Sequence, residues 1–436
     1  MTDRSGAAAA LPLHRAGPFS LWSQLAVSLL WFALFANWLT VVPVIVPDQI
    51  ASILGPDAAA KEGIAGSIQA AGAFVALIMA PLAGALSDRV RHPLGRRRPF
   101  LIAGMIGTCI GLALLVPFGP GRSIWLYALV ILNLQFWWNW LCGPYAGLIP
   151  DVVPAAEQAR ASAWMNIMSI LGTFVGNGIA VVLYVHGNAG PAIAGLIVIN
   201  LACLWLTLKG VHEAPALGPR HRLEIVPFIR SFWLSPGTHQ GFYWVLVTRL
   251  FANLGVWSVL TFLLFYLRDV IGVAEPDKVL PMLLGLGAML GIPASLVAAR
   301  LVDRHGVLAV VRATSWMMAG AAIAYVLIAL RPGLWLTVPV FLVYFAGWGA
   351  YQAVDWALAL KVLPSGGDSG KDMGIWHVAL VLPQILGPAL TGWIITGAKL
   401  AVSARFAYAL AFAIAGLWFM LSAILVARVR LPRDQT

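Results

Sequence analysis

Charge is scarce in this chain. Asp, Glu, Lys and Arg make up 10% of its 436 residues, while 61% are hydrophobic. Soluble domains carry about 25% charged residues, so this surface is too oily to face water everywhere. Cysteine is scarcer still. Cys109, Cys142 and Cys203 are the only three, each inside an apolar run. An odd count without ligand spacing gives neither a disulfide framework nor a metal site, and all three read as small core hydrophobes. There is no GxxxxGK(S/T) phosphate loop, which argues against a nucleotide-driven machine. There is no HExxH and no GxSxG either, and no connection is long enough to be a catalytic domain. An enzyme is not expected, nor is any cofactor. The net charge of +11 would suggest nucleic acid only if the basic residues formed a soluble domain. They sit between apolar runs instead, so no nucleic-acid partner is expected.

What the chain has is long apolar runs. A transmembrane helix needs about 20 mostly apolar residues. Twelve stretches qualify, at roughly 22–46, 64–86, 99–118, 124–149, 161–185, 191–209, 241–267, 280–300, 308–330, 335–362, 373–397 and 405–427. The first is too long for the apolar core of a signal peptide and should stay as a membrane helix. The pattern predicts an all-α membrane protein of two six-helix bundles, 22–209 and 241–427. A linker at 210–240, rich in Pro, His and Arg, joins them, and 1–21 and 428–436 form short tails.

Twelve spans put both tails on one side. Cytoplasmic loops carry the excess of Lys and Arg. With the tails inside, twenty of the 28 basic residues are cytoplasmic. Seven are outside: Lys61, Arg122, Arg268, Lys278, Arg331, Lys399 and Arg405. Both termini are therefore expected in the cytoplasm, with the chain in the plasma (inner) membrane. The halves also echo each other. SDR at 87–89 matches VDR at 302–304, and PDVVP ending at Pro154 matches LKVLP ending at Pro364. Internal repeats at corresponding loops mark transporter folds.

The densest charge lies in GALSDRVRHPLGRRRPF, residues 84–100, between the second and third spans. Topology alone explains its arginines but not Asp88, nor Gly84 one helical turn earlier, where a glycine lets another helix approach. The set Gly84, Asp88, Arg89, Gly95, Arg96 and Arg97 resembles the cytoplasmic loop motif of the major facilitator superfamily. Asp303 and Arg304 fall at the equivalent loop of the second half. The longer run SDRVRHPLGRRRPF looks like the form found in sucrose–proton symporters, with a looser version in glycoside–pentoside–hexuronide symporters. GPYAGLIPDVVP at 143–154 resembles the end of their fourth span. The resemblance implies a twelve-helix alternating-access transporter. It also implies that the loop latches the two halves together when the outer side is open.

Polar groups inside spans are expensive and usually functional. Asn37, in the first span, lies near the midplane. Gln135 and Asn139, in the fourth, share a helix face beside Trp137, Trp138 and Trp140. Amides exchange hydrogen bonds with hydroxyls, and aromatic faces pack on the apolar side of a sugar. Asn37, Gln135, Trp138 and Asn139 are therefore candidate substrate ligands, although helix packing would use the same residues. Aligned on Gly143 and Pro144, plant sucrose symporters carry an aspartate at the position of Gln135, and that aspartate is the family's proposed proton carrier. Glutamine cannot take that role. Asp355 in span ten and Arg249 in span seven lie about 10 and 12 Å from the inner end, at ~1.5 Å per residue. Each buried charge needs the other. The pair is read either as a proton-coupling site or as a permanent lock. Asn253 and Gln352 extend its polar face, and His377 lies at similar depth. Pro144, Pro383 and Pro388 are candidate bends.

The sequence thus predicts a monomeric transporter in the lipid bilayer, carrying a neutral sugar (a disaccharide or glycoside) with a proton. Two alternatives stand beside it: a facilitator or exporter of amphipathic molecules, and a non-transporting scaffold or assembly factor.

Overall fold

A computed structural model of the chain describes residues 20–154, 157–184, 188–213, 240–362 and 369–429. In hydrocarbon every backbone N–H and C=O needs a partner within the protein, which a helix supplies internally. The apolar runs accordingly form twelve long helices: α1 (Leu21–Leu54), α2 (Lys61–Ser87), α3 (Arg98–Ala113), α4 (Ile124–Ala146), α5 (Gln158–Val182), α6 (Gly190–Gly210), α7 (Gln240–Leu260), α8 (Pro276–His305), α9 (Val307–Leu330), α10 (Leu334–Val362), α11 (Ser369–Ala401) and α12 (Ala404–Leu425). Ten contain a stretch long and apolar enough to cross a membrane. Of the other two, α3 has only 16 residues, and the tryptophans and amides of α4 lower its hydropathy. Serines cap α1, α4 and α12, each accepting a backbone N–H from the first turn, as N-cap residues do. Most of the expected linker and Pro364 of the second loop repeat lie outside the described residues.

Packing follows a pseudo-two-fold pattern. In the first half α1 packs on α5 and α6, α4 on α2 and α3, and α3 on α6. In the second half α7 packs on α11 and α12, α10 on α8 and α9, and α9 on α12. Each pairing has its counterpart six helices on. The halves meet through α2 on α11 and α5 on α8, and these two contacts are counterparts as well. The result is the twelve-helix fold of two six-helix bundles.

The α2–α11 crossing is close because it runs through glycine. A methyl group added at Gly66 would overlap the carbonyl of Pro388, and one at Gly392 that of Glu62. Backbone-to-backbone contact of this kind substitutes for the hydrophobic drive that lipid removes. The approach expected at Gly84 does occur, since α4 crosses there. But a Cβ on Gly84 would sit 3.6 Å from Gly143, an ordinary contact. The indispensable glycine is Gly143, whose Cβ would overlap the Ala80 carbonyl.

One helix runs well past its expected end. The first span was expected to stop near residue 46, yet α1 continues to Leu54. A π-helical turn at Val41–Ile45 absorbs Pro43, and Pro47 falls in the first turn of the next α-helical segment. A proline there costs no hydrogen bond. The extension carries Asp48 and Gln49 into the protein, where both are buried.

Candidate functional site

A cavity of about 160 Å³ lies among α1, α2, α4 and α11. Helix α1 contributes Trp31, Leu34, Phe35 and Trp38; α2 contributes Gln69; α4 contributes Gln135, Trp138, Asn139 and Cys142; α11 contributes Gln384. The wall thus carries four amides and three indoles and no charged side chain. The Asn139 amide donates to the Gln135 backbone carbonyl at 2.8 Å and to its Oε1 at 3.3 Å. That contact turns both amides onto one face of α4. The three neighbouring tryptophans part company: Trp138 faces the cavity, Trp137 packs on Gly107 of α3, and Trp140 stacks on Phe100 and Phe136.

Asn37 does not reach this cavity. It is buried against α6, where the amides of Asn37 and Asn200 exchange hydrogen bonds of 2.8 and 3.3 Å. A buried amide is satisfied most completely by a second amide, and this pair holds α1 to α6. The sequence reading did not single out Gln69, Gln384, Trp31 or Trp38. Gln69 and Gln384 are each the single amide of their helix, and only the crossing of α2 with α11 brings the two glutamines to one place.

Arg249 and Asp355 meet. The guanidinium donates to Asp355 Oδ2, and the Tyr351 hydroxyl donates to Oδ1 at 3.3 Å. Both partners are buried. The pair lies between α7 and α10, inside the second half, and neither residue lines the cavity. Asn253 donates to the Arg249 backbone carbonyl at 2.9 Å, while its Oδ1 is buried without a partner. Gln352 is exposed and stands apart from the pair. His377 falls on α11, but its side chain is outside the described residues.

The two faces of the molecule differ. We call the face that holds the start of α1 and the end of α12 proximal and the opposite one distal. At the distal face three ion pairs join the halves: Asp48 with Arg268 (2.5 Å), Lys61 with Asp269 (2.8 Å) and Glu62 with Lys399 (2.7 Å). Asp48, Lys61 and Glu62 are almost wholly buried. Beneath them Thr396 accepts the Gly63 backbone N–H at 3.0 Å, and Trp393 donates to Ser67 at 3.0 Å. The distal side is therefore closed above the cavity. Of these residues Lys61, Arg268 and Lys399 had entered the sequence reading only as outer-loop charges, and the acids Asp48, Glu62 and Asp269 not at all, because nothing in their spacing says that they face one another.

At the proximal face the arginine-rich loop is tied to its own half. Arg97 pairs with Asp88 (2.6 Å) and Asp151 (2.8 Å), and Arg96 also pairs with Asp151. Arg89 donates to the Ala85 carbonyl. The Glu213 carboxylate accepts the backbone N–H groups of Arg96, Arg97 and Arg98, capping α3 where a negative charge is favoured. Gly95 lies in the left-handed region at φ +99°, and a Cβ there would collide with Glu213. Only glycine fits both demands. Asp303 and Arg304, at the end of α8, are exposed. Among the described residues, every ion pair joining the halves is distal.

A closed-over cavity between two pseudo-symmetric helical bundles is the architecture of a membrane transporter. The family model for the Major Facilitator Superfamily matches residues 27–367, and the chain belongs to that superfamily. Over 97 residues it is 36% identical to Solute carrier family 45 member 4 of Mus musculus, covering 20% of this chain and 12% of that protein. Over 124 residues it is 30% identical to Sucrose transport protein SUT3 of Oryza sativa subsp. indica, covering 23% and 24%. The matched stretches thus span a quarter or less of these relatives. In fold the chain is similar to a D-xylose-proton symporter, with a TM-score of 0.72 at 16% identity over 95% of this chain and 99% of that one.

Proposed function

We propose that the chain carries a neutral sugar, a disaccharide or glycoside, through the plasma (inner) membrane together with a proton, with both termini cytoplasmic. The observation that carries this reading is the cavity wall: Gln69, Gln135, Asn139 and Gln384 set among Trp31, Trp38 and Trp138. Amides donate and accept, as hydroxyls require, and indole faces cover the apolar side of a pyranose. An uncharged wall selects an uncharged substrate. The sugar-transporter names of the relatives support the same class.

For the coupling proton, Asp355 is the carboxylate on this reading. A proton on it would release Arg249 and loosen α7 from α10. Residues 210–240 serve as the linker between halves, and the loop around Asp88 as the latch of the opposite state. In the present state that loop keeps its ion pairs at home, in keeping with a latch that is released.

Uptake of labelled sucrose and maltose into proteoliposomes, with and without an inward proton gradient, tests the proposal. Accumulation that collapses with a protonophore is the expected result. Saturable entry indifferent to the gradient would instead favour a facilitator, the reading that Gln135 supports by standing where sucrose symporters carry an aspartate. No saturable uptake of either sugar would sink the sugar assignment.

A further inference from the structure

Glu62 and Asp48 are the most deeply buried acids of the distal gate, each at 0% exposure, and Glu62 is the one that carries an unpartnered oxygen. Its two oxygens differ. Lys399 donates to Oε1 at 2.7 Å and Tyr408 at 3.1 Å, whereas Oε2 is buried without a partner. The charged neighbours come from every side. Lys61, next along α2, points to Asp269 beyond the end of α7. Arg268 is held by Asp48 of α1, which also accepts from Tyr184 at 2.6 Å. Asp277, at the start of α8, is buried within electrostatic reach of Tyr184.

A dehydrated carboxylate oxygen with no donor is a poor place for negative charge. Yet neutralising an acid inside a cluster of ion pairs normally strands a cation. Protonating Asp48 would leave Arg268 without its carboxylate, and protonating Asp269 would do the same to Lys61. Glu62 is the exception. Its partner Lys399 already lies 3.5 Å from Asp269 Oδ2, so that carboxylate can hold the ammonium when Glu62 becomes neutral.

We propose that Glu62 takes up a proton as the distal gate closes and returns it to water when the gate opens. The proton comes from distal water and bonds to Oε2; no other covalent bond changes. With the gate open the carboxylate is hydrated and carries its charge easily. With the gate closed the neutral acid is favoured. By linkage, acid on the distal side closes the gate and alkali opens it. The inference assumes a bilayer-inserted transporter but is independent of which substrate it carries and of Asp355.

Cys142 lines the cavity beneath the gate, and the other two cysteines are buried. The test applies a membrane-impermeant thiol reagent to the full chain in oriented proteoliposomes, from the distal and then the proximal side. Mass spectrometry reads modification of Cys142. With both compartments held at the same pH, the ratio of distal to proximal rates cancels the thiol's own response to pH. Wild type should show this ratio falling severalfold as that common pH is lowered. Glu62→Gln should hold it low and independent of pH. Lys399→Met removes the counter-charge, so its midpoint should move to higher pH. A wild-type ratio that is flat, or that rises with acid, overturns the proposal. So does a Glu62→Gln chain with the wild-type response. If Glu62→Gln fails to insert, the wild-type profile and the Lys399→Met midpoint still decide.

Discussion

Trp38 of α1 and Trp257 of α7 meet across the two halves, with ring centroids 5.6 Å apart and planes inclined at 69°. Such an edge-to-face pair contributes about 0.5–1.5 kcal/mol beyond its buried area. It is formed only while the halves are together beside the cavity. Trp257→Ala should therefore raise the distal-open fraction by roughly two- to tenfold. Faster modification of Cys142 from the distal side would show it; an unchanged rate would mean the pair is not part of the closed gate.

Asn37 and Asn200 hold α1 to α6 by a reciprocal amide bond. Interhelical polar contacts in membranes contribute on average about 0.6 kcal/mol and at most about 1.7. Asn37→Ala should lower thermal stability in detergent by an amount in that range and leave KM for sugar unaltered. A large rise in KM without loss of stability would restore Asn37 to the substrate site.

Gln135 faces the cavity and has Asn139 as its neighbour on the same helix face. Replacing it with alanine removes hydrogen bonds to substrate of about 0.5–1.5 kcal/mol each. The expected outcome is a several-fold higher KM for sugar uptake, with normal expression. An unchanged KM would place the sugar elsewhere.

Arg249 and Asp355 are buried together in the second half. Removing one partner leaves an uncompensated charge, a loss of about 3–5 kcal/mol. Asp355→Asn and Arg249→Met should each melt earlier than wild type, and the double variant should recover most of the difference. On the coupling reading, uptake rises as external pH falls, because protonated Asp355 frees Arg249. Asp355→Asn should then lose acid stimulation yet keep exchange. Stimulation by acid that survives the substitution would leave the pair as a lock alone.

The fold was legible because its signal is long-range in sequence and coarse in chemistry. Apolar runs of helical length, and loops at matching offsets, survive errors of several residues at any edge. The Arg249–Asp355 contact was legible for a different reason: two lone charges in oily spans have nowhere else to go. The distal gate was not. Asp48 and Gln49 follow Pro43 and Pro47 and read as the start of a loop, and only the π-helical turn carries the helix past both prolines. Lys61, Arg268 and Lys399 read as ordinary outer-loop charges until α2 is seen lying along α11. Asn37 is the converse case. Its depth suggested a ligand, but depth does not specify azimuth, and it turns towards α6.

The cavity wall is drawn unevenly from the molecule. Three of its helices belong to the first half and one, through Gln384, to the second, while the buried Arg249–Asp355 pair lies wholly in the second. If specificity and energy input are housed this way, the two halves are separable modules. Exchanging residues 22–209 with those of a relative should transplant the choice of cargo and leave the driving force behind. Such a chimera would also keep or lose its distal closure according to whether the incoming half brings its own counterparts of Asp48, Lys61 and Glu62.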